Sequence, residues 1–195
     1  NSLRFLDIVR KHTDRMGELI DDLTDLSLIE TGAVALDLAD VDVHEIAQEL
    51  AQQLSLRHAS SGVDVRVEMP SPFVVRSDRR RLEQVLVNLM DNAIKFNRPG
   101  GSVKVSGTVV DNRPTIVVED TGIGIPADSI EKVFNRFYRV DKARSRDVGG
   151  TGLGLAIVKH LMRLQGGQVV LDSEVGRGSR FVLEFPPPTE LPPPG

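Results

Sequence analysis

The chain has 195 residues, 40% of them hydrophobic, a formal net charge of −4 and no cysteine. That length sustains one well-packed domain with an appendage, the acidic balance offers no basic footprint for nucleic acid, and the lack of thiols excludes disulfides, cysteine nucleophiles and thiolate metal sites. No apolar run approaches the ~20 residues that span a bilayer and no secretory signal opens the chain, so a cytoplasmic piece with no membrane contact of its own is expected, in an intact protein that can itself be anchored.

From Leu3 to about Ile29 apolar residues recur by threes and fours, at Phe5, Leu6, Val9, Met16, Leu19, Ile20, Leu23 and Leu26, which predicts a long amphipathic helix ended by Thr31-Gly32. Such a stripe needs a helical partner, either a segment outside this sequence or a second copy of the chain. The opening NSLRFLDIV starts in mid-helix without Met, as expected of a piece of a longer protein.

A short strand around Ala35 to Leu38 is predicted next, then a helix to about His58, with Asp42 as cap and Glu45 reaching back in a capping box. Val63 to Met69 alternates with period two and reads as a strand, and Phe73 to Arg76 as another. Ser77 or Asp78 caps a helix carrying NLMDNAIKF, Asn88 to Phe96, which Arg98-Pro99-Gly100-Gly101 stops. Strands Ser102 to Val110 and Pro114 to Glu119 form a hairpin. A glycine turn, a short helix opened by Pro126, a polar loop, a glycine-rich helix start at Gly149 to Gly154 and a hairpin across Gly176-Arg177-Gly178 complete the order, and the Pro-rich end reads as a flexible tail. The mixture is α+β, with the strands gathered into one sheet and helices covering one face.

Three stretches carry chemistry. In NLMDNAIKF, Asn88, Asp91, Asn92 and Lys95 share a narrow sector of a helix that is otherwise apolar. Dry amides and charges there would cost on the order of 1–3 kcal/mol each or more, so something polar meets them: solvent, a loop network or a ligand. EDTGIGIP delivers Asp120 from a strand into a turn whose Gly122 and Gly124 permit close backbone approach, so Asp120 either bonds its own turn or accepts a hydrogen bond from an exocyclic amine. GGTGLGLAIVKHL places Gly150, Gly152 and Gly154 at a helix start, where N–H groups can meet an anion or where glycine merely allows tight packing. It is not the G-x-x-x-x-G-K-[ST] phosphate loop.

In this order and spacing NLMDNAIKF, DTGIGI, FNRFYR and GTGLGL resemble the N, G1, F and G2 boxes of the sensor histidine kinases, within the GHKL group of ATP-binding domains. The resemblance implies a two-layer α/β sandwich with a mixed sheet. Residues 1–32 would be the second helix of a dimerisation and phosphoacceptor hairpin, 33–186 the catalytic ATP-binding domain and 187–195 a tail. It further implies Mg2+ and ATP, a homodimer formed through the hairpin, and a response regulator receiver domain as partner.

Carried over by residue, Asn92 is implied as a magnesium ligand with Asn88 as a second ligand or water-holder, which suits an ion that keeps most of its shell as phosphate oxygens and water. Lys95 would balance phosphate charge and Phe96 lie near the nucleoside. Asp120 would read the adenine amine in a pocket end shaped by Gly122, Gly124 and Ile125, with Ser179 holding a water. Gly150, Thr151, Gly152 and Gly154 form the phosphate segment that Leu153 and Leu155 anchor. Arg139, with Arg136, would stabilise the transferring phosphoryl group. Phe134, Phe137 and Tyr138 are expected to pin the base of a lid that spans KARSRDV. The related ATPases carry a glutamate where this chain has Asn88, and an amide is no general base at neutral pH, so the site suits transfer to another nucleophile better than hydrolysis. That nucleophile is a histidine in the family. None of His12, His44, His58 and His160 sits in the family's acceptor motif. His12 reads as a packing histidine, the others as ordinary surface or helix residues, and the acceptor is expected upstream of Asn1.

Overall fold

The computed structural model describes residues 2–32, 34–140 and 150–187. In the first helix the side chains of 2–5, 7, 8, 11, 12, 14, 15, 18 and 30 lie outside the described set, so the reading of His12 falls there too. The elements in order are α1 (Ser2–Glu30), β1 (Ala39–Asp42), α2 (Val43–Arg57), β2 (Asp64–Glu68), β3 (Val74–Ser77), α3 (Arg79–Lys95), β4 (Ser102–Val110), β5 (Arg113–Asp120), α4 (Gly154–Leu164), β6 (Gln168–Glu174) and β7 (Gly178–Glu184).

The main sheet has the order β2-β4-β5-β7-β6, with β2 parallel to β4 and the other pairs antiparallel. Asp111 and Asn112 take positive φ of 49° and 61° and close β4 onto β5 in two residues, a turn whose hand matches the twist of the strands. One face presents Val103, Val105, Ile116, Val118, Phe181 and Leu183, all buried, and α2, α3 and α4 lie over it. The other face is mixed: Lys104 pairs Glu119 at 3.3 Å and Arg180 stands between Glu119 and Asp172 in register, beside a row of Val117, Val182 and Val170. The α+β sandwich with helices on one face is as the sequence indicates. Not all strands join that sheet, however: β1 and β3 pair only with each other, Val41 opposite Val75. The first strand also falls at 39–42, not 35–38. Asp42 Oδ1 accepts both from His44 N, as the cap of α2, and from Phe73 N, each at 3.0 Å, and these two bonds tie the paired strand to the helix start. Glu45 does not close a capping box, because its carboxylate takes Arg79 Nη1 at 2.9 Å.

Helix α3 is capped by Asp78, whose Oδ1 accepts from Arg81 N at 3.0 Å. Its buried residues Leu82, Val85, Leu86, Leu89, Met90, Ala93 and Ile94 make one continuous stripe, each large one contributing about 1.5–3 kcal/mol relative to exposure. The short helix expected after Pro126 is instead two single 3-10 turns, 127–129 and 132–134, closed by Ser129 N to Pro126 O and Asn135 N to Lys132 O, both 2.9 Å. Neither segment is long enough to repay α-helix nucleation.

Two polar fastenings hold the helices in place around the sheet. Gln165, just past α4 and 2% exposed, accepts from the Ser77 hydroxyl and from Asp78 N (3.1 Å) and donates to Leu161 O (3.2 Å), so it clamps the end of α4 to the start of α3. The C-terminal half of α1 buries Leu26 and Ile29 in the core, while Asp25 holds Gln84 at 2.7 Å and Arg81 at 3.4 Å. The long helix therefore has two apolar faces. Leu6, Val9, Met16, Ile20 and Leu23 remain exposed at three-, four- and seven-residue spacing, and the face bearing Leu26 is satisfied within the chain.

Candidate functional site

The polar sector of α3 lies beside the start of α4. Asn88, Asp91, Asn92 and Lys95 are all half-buried, and a Cβ added at Gly154 would stand 3.2 Å from Asn88 Oδ1, so the two helices approach closely there. Neither the Asn88 nor the Asn92 side-chain amide has a hydrogen-bond partner among the described residues, and neither is sealed from solvent. Half-buried amides left without partners have hydrogen-bonding capacity to spare. The other two polar residues are occupied: Asp91 Oδ2 holds Lys95 Nζ at 2.6 Å and Asp91 Oδ1 meets His58 Nε2 at 2.8 Å. His58 closes α2, a helix residue as expected, and is only 19% exposed.

Asp120 ends β5 beside β7. Burial pushes its carboxyl from 3.8 up to about 6, the N–H groups of Gly122 and Ser179 pull in the opposite direction, and Glu119 adds a smaller upward push. Its Oδ1 accepts from Gly122 N at 2.7 Å, so Asp120 does bond its own turn, as the plain reading of the motif has it. The turn is tight because Phe96 O accepts from Ile123 N at 3.1 Å, and a Cβ on Gly122 would come within 2.5 Å of that carbonyl. Gly124 has φ of 70° and no room for a Cβ, which would fall 2.0 Å from Glu174 O. Phe96 is half-buried at the end of α3, and Ile125 packs against the core.

Ile125 N donates to Ser173 Oγ at 2.8 Å, and Ser173 in turn bonds Gly178 O (2.8 Å) and the Ser179 hydroxyl (3.0 Å). Ser179 thus reaches this end of the site, with its hydroxyl engaged by Ser173. Sequence reasoning missed Ser173, and the alternation of β6 carried no signal for it.

The glycine segment holds Gly150 and Gly152 at φ of 137° and 74°, and Gly152 O accepts from Phe137 N at 2.9 Å. Thr151 Oγ1 donates to Asp22 Oδ2 on α1 at 2.6 Å and accepts from Leu153 N at 3.1 Å. Leu153 is fully buried and Leu155 packs on the core, as expected of anchors. No side chain caps α4, and its first residue, Gly154, starts the helix beside Asn88. Gly149 and the KARSRDV loop lie outside the described residues.

Phe134 packs edge-on against Phe181 with ring centroids 6.5 Å apart, and Tyr138 donates to Ser129 at 3.0 Å, so both pin the loop base. Phe137 does not. It is 56% exposed at φ of 60°, because its N–H is committed to Gly152 and the side chain is turned outward. Arg139 is half-buried and Arg136 exposed, and both are engaged with neighbours. His160 on α4 has its imidazole held below the ordinary value by burial first, then by Arg136, Arg163 and Lys159.

Among the described residues no group of three His, Cys, Asp or Glu side chains could cage a metal. The open amide oxygens of Asn88 and Asn92 fit a different kind of ion, a hard one that arrives with most of its oxygen ligands already bound. Among the described residues no helix is long and apolar enough to cross a membrane.

Residues 77–189 match the model of the histidine kinase-, DNA gyrase B-, and HSP90-like ATPases. The chain is 38% identical over 183 residues to the sensor-like histidine kinase SenX3 of Mycolicibacterium smegmatis, covering 94% of this chain and 48% of that protein. It is 35% identical over 185 residues to the sensor histidine kinase WalK of Bacillus subtilis, covering 94% of this chain and 30% of that one. The chain thus spans less than half the length of either relative. Among solved structures, full-length ShkA in complex with AMPPNP superposes with a TM-score of 0.81 at 31% identity, covering 94% of this chain and 38% of that one. The histidine kinase AdeS of Acinetobacter baumannii gives 0.79 at 25% identity, covering 96% and 86%.

Proposed function

The chain belongs to the histidine kinase-, DNA gyrase B-, and HSP90-like ATPases, and from that premise we propose that it is the ATP-binding catalytic unit of a sensor histidine kinase, preceded by one helix of a dimerisation hairpin. The observation that carries this reading is the pair of open amides, Asn88 and Asn92, one helical turn apart on α3, the first of them beside the start of α4, which no side chain caps. A polyphosphate laid along that wall would meet N–H donors from α4 and amide oxygens from α3, while Asp120 at the far end accepts from the adenine amine. Asn92, with Asn88, would hold Mg2+, which supplies positive charge against the phosphate oxygens. Lys95 and Arg139 would add to that charge, and Gly122, Gly124, Ile125 and Phe96 would enclose the nucleoside.

In the transfer an imidazole nitrogen bonds to the γ-phosphorus as the bond to the bridging oxygen breaks and ADP leaves. Asn88 cannot take a proton from water, which supports transfer over hydrolysis. The acceptor would lie on a helix other than α1 to α4, and the phosphoryl group would pass on to a receiver-domain aspartate. The exposed stripe of Leu6, Val9, Met16, Ile20 and Leu23 supports a helical partner for α1, best supplied by the rest of a hairpin and its dimer mate.

Calorimetric titration with ATP in the presence and absence of Mg2+ tests the reading. Binding should weaken about tenfold in Asn92→Ala only when magnesium is present, and at both conditions in Asp120→Ala. No binding by the parent chain refutes the proposal. Supplying an acceptor-bearing helical hairpin should yield acid-labile phosphate on it, and steady ATP hydrolysis without transfer would favour a hydrolase.

A further inference from the structure

Lys95, which would face phosphate in a nucleotide complex, is bound to Asp91 at 2.6 Å, and Asp91 is shared with His58 at 2.8 Å. Both oxygens of a carboxylate that is only 16% exposed are thus partnered, one from its own helix and one from the end of α2. A lysine that turns toward phosphate must leave that carboxylate behind. In a half-buried position, removing a partner costs more than the pair was worth, because the remaining charge loses its compensation.

The surroundings offer little replacement. The adjoining cleft of about 360 Å³ is lined in part by His58, Ser60, Ser61, Lys95, Asn97 and Arg98. Arg98 spends its Nε on Thr121 O at 2.7 Å, the Asn97 amide donates to Ser102 O at 3.0 Å, and the turn at 59–61 brings hydroxyls and no charge. His58 is set firmly, since its backbone N–H closes α2 onto Leu54 O at 2.9 Å.

We propose that His58 is a positioning residue that keeps Asp91 partnered from the α2 side, so that Lys95 can exchange Asp91 for the phosphates of a bound nucleotide. Asp91 holds the lysine until a nucleotide binds, and His58 eases its release. The pair acts on phosphate binding alone and has no part in reading the base. This rests on the nucleotide reading.

The test compares ATP and adenosine binding to the 195-residue chain, by calorimetry for ATP and by NMR shift titration for adenosine. In His58→Leu, ATP should bind about fivefold more weakly while adenosine is unchanged, because only the phosphates call on Lys95. His58→Gln, which retains an N–H donor, should restore ATP binding to near the parent value. So should Asp91→Asn added to His58→Leu, since no charge is then left behind. Equal losses for ATP and adenosine, no recovery with glutamine, or a double variant no better than His58→Leu would each overturn the inference while leaving the nucleotide site standing. A parent chain that binds neither ligand overturns both.

Discussion

Replacing Asp120 by Asn should move stability and ligand binding in opposite directions. With its carboxyl displaced from 3.8 to about 6 chiefly by burial, the folded protein holds a proton that the unfolded chain has already released between those values. The folded state therefore binds more protons in that window, and its stability falls as pH rises from about 4 to about 6. Full ionisation costs about 3 kcal/mol for a displacement of that size, of which about 2 kcal/mol is lost between about pH 4.5 and 7.5. Asn at 120 cannot ionise, so the stability difference between Asp120→Asn and parent should shift by about 2 kcal/mol in favour of the variant over that range. Binding runs the other way: in the proposed complex an adenine amine would donate to the ionised carboxylate, so the parent should lose ATP affinity as pH falls through about 6. Urea unfolding of both proteins at several pH values, beside ATP titrations of the parent, gives both slopes. A stability difference that stays constant with pH would refute the argument, since it would mean that Asp120 titrates alike in the folded and unfolded chains.

Leu153→Ala removes a fully buried anchor under the phosphate segment and should cost about 3 kcal/mol in urea unfolding, with weaker ATP binding in the same preparation. Gly124→Ala forces a Cβ against Glu174 O in a left-handed conformation and should destabilise by more than about 2 kcal/mol, read as a lower thermal midpoint. Thr151→Val cuts the bond to Asp22 and the Leu153 N–H together, and should cost about 1 kcal/mol while speeding amide exchange at Leu153 more than at Leu161.

Periodicity made most of this fold legible. The α3 stripe, the β4–β5 hairpin and the start of α4 fall where threes, fours and turn residues put them, because those signals are local. Pairing is not local, and it decided the first strand: residues 35–38 are more apolar than 39–42, but only the latter pair with β3 and deliver Asp42 to α2. Phe137 misled for the opposite reason, since an aromatic residue suggests burial and a single hydrogen bond to Gly152 turned the backbone away from it. At the site, residues on the cleft walls were visible as motifs. Their supports, His58, Ser173 and Asp22, come from distant parts of the chain and carry no spacing that marks them. The long helix showed its apolar residues plainly, but a single-chain pattern does not separate the face that packs at home from the face left for a partner.

The clamp at Gln165 sets the register of α3 against α4. They run antiparallel, joined by hydrogen bonds where Ser77 and Asp78 meet Gln165, and they come together again at Asn88 and Gly154 by contact alone. The span from Gln165 to Gly154 is about 16 Å at the helical rise, and over it the helices bury Leu86, Leu89, Ile157 and Leu161 in the shared core. The two contacts thus fix the helices at both ends, with a serine hydroxyl and a backbone amide sharing one buried glutamine oxygen at one end and Gly154 lying against Asn88 at the other.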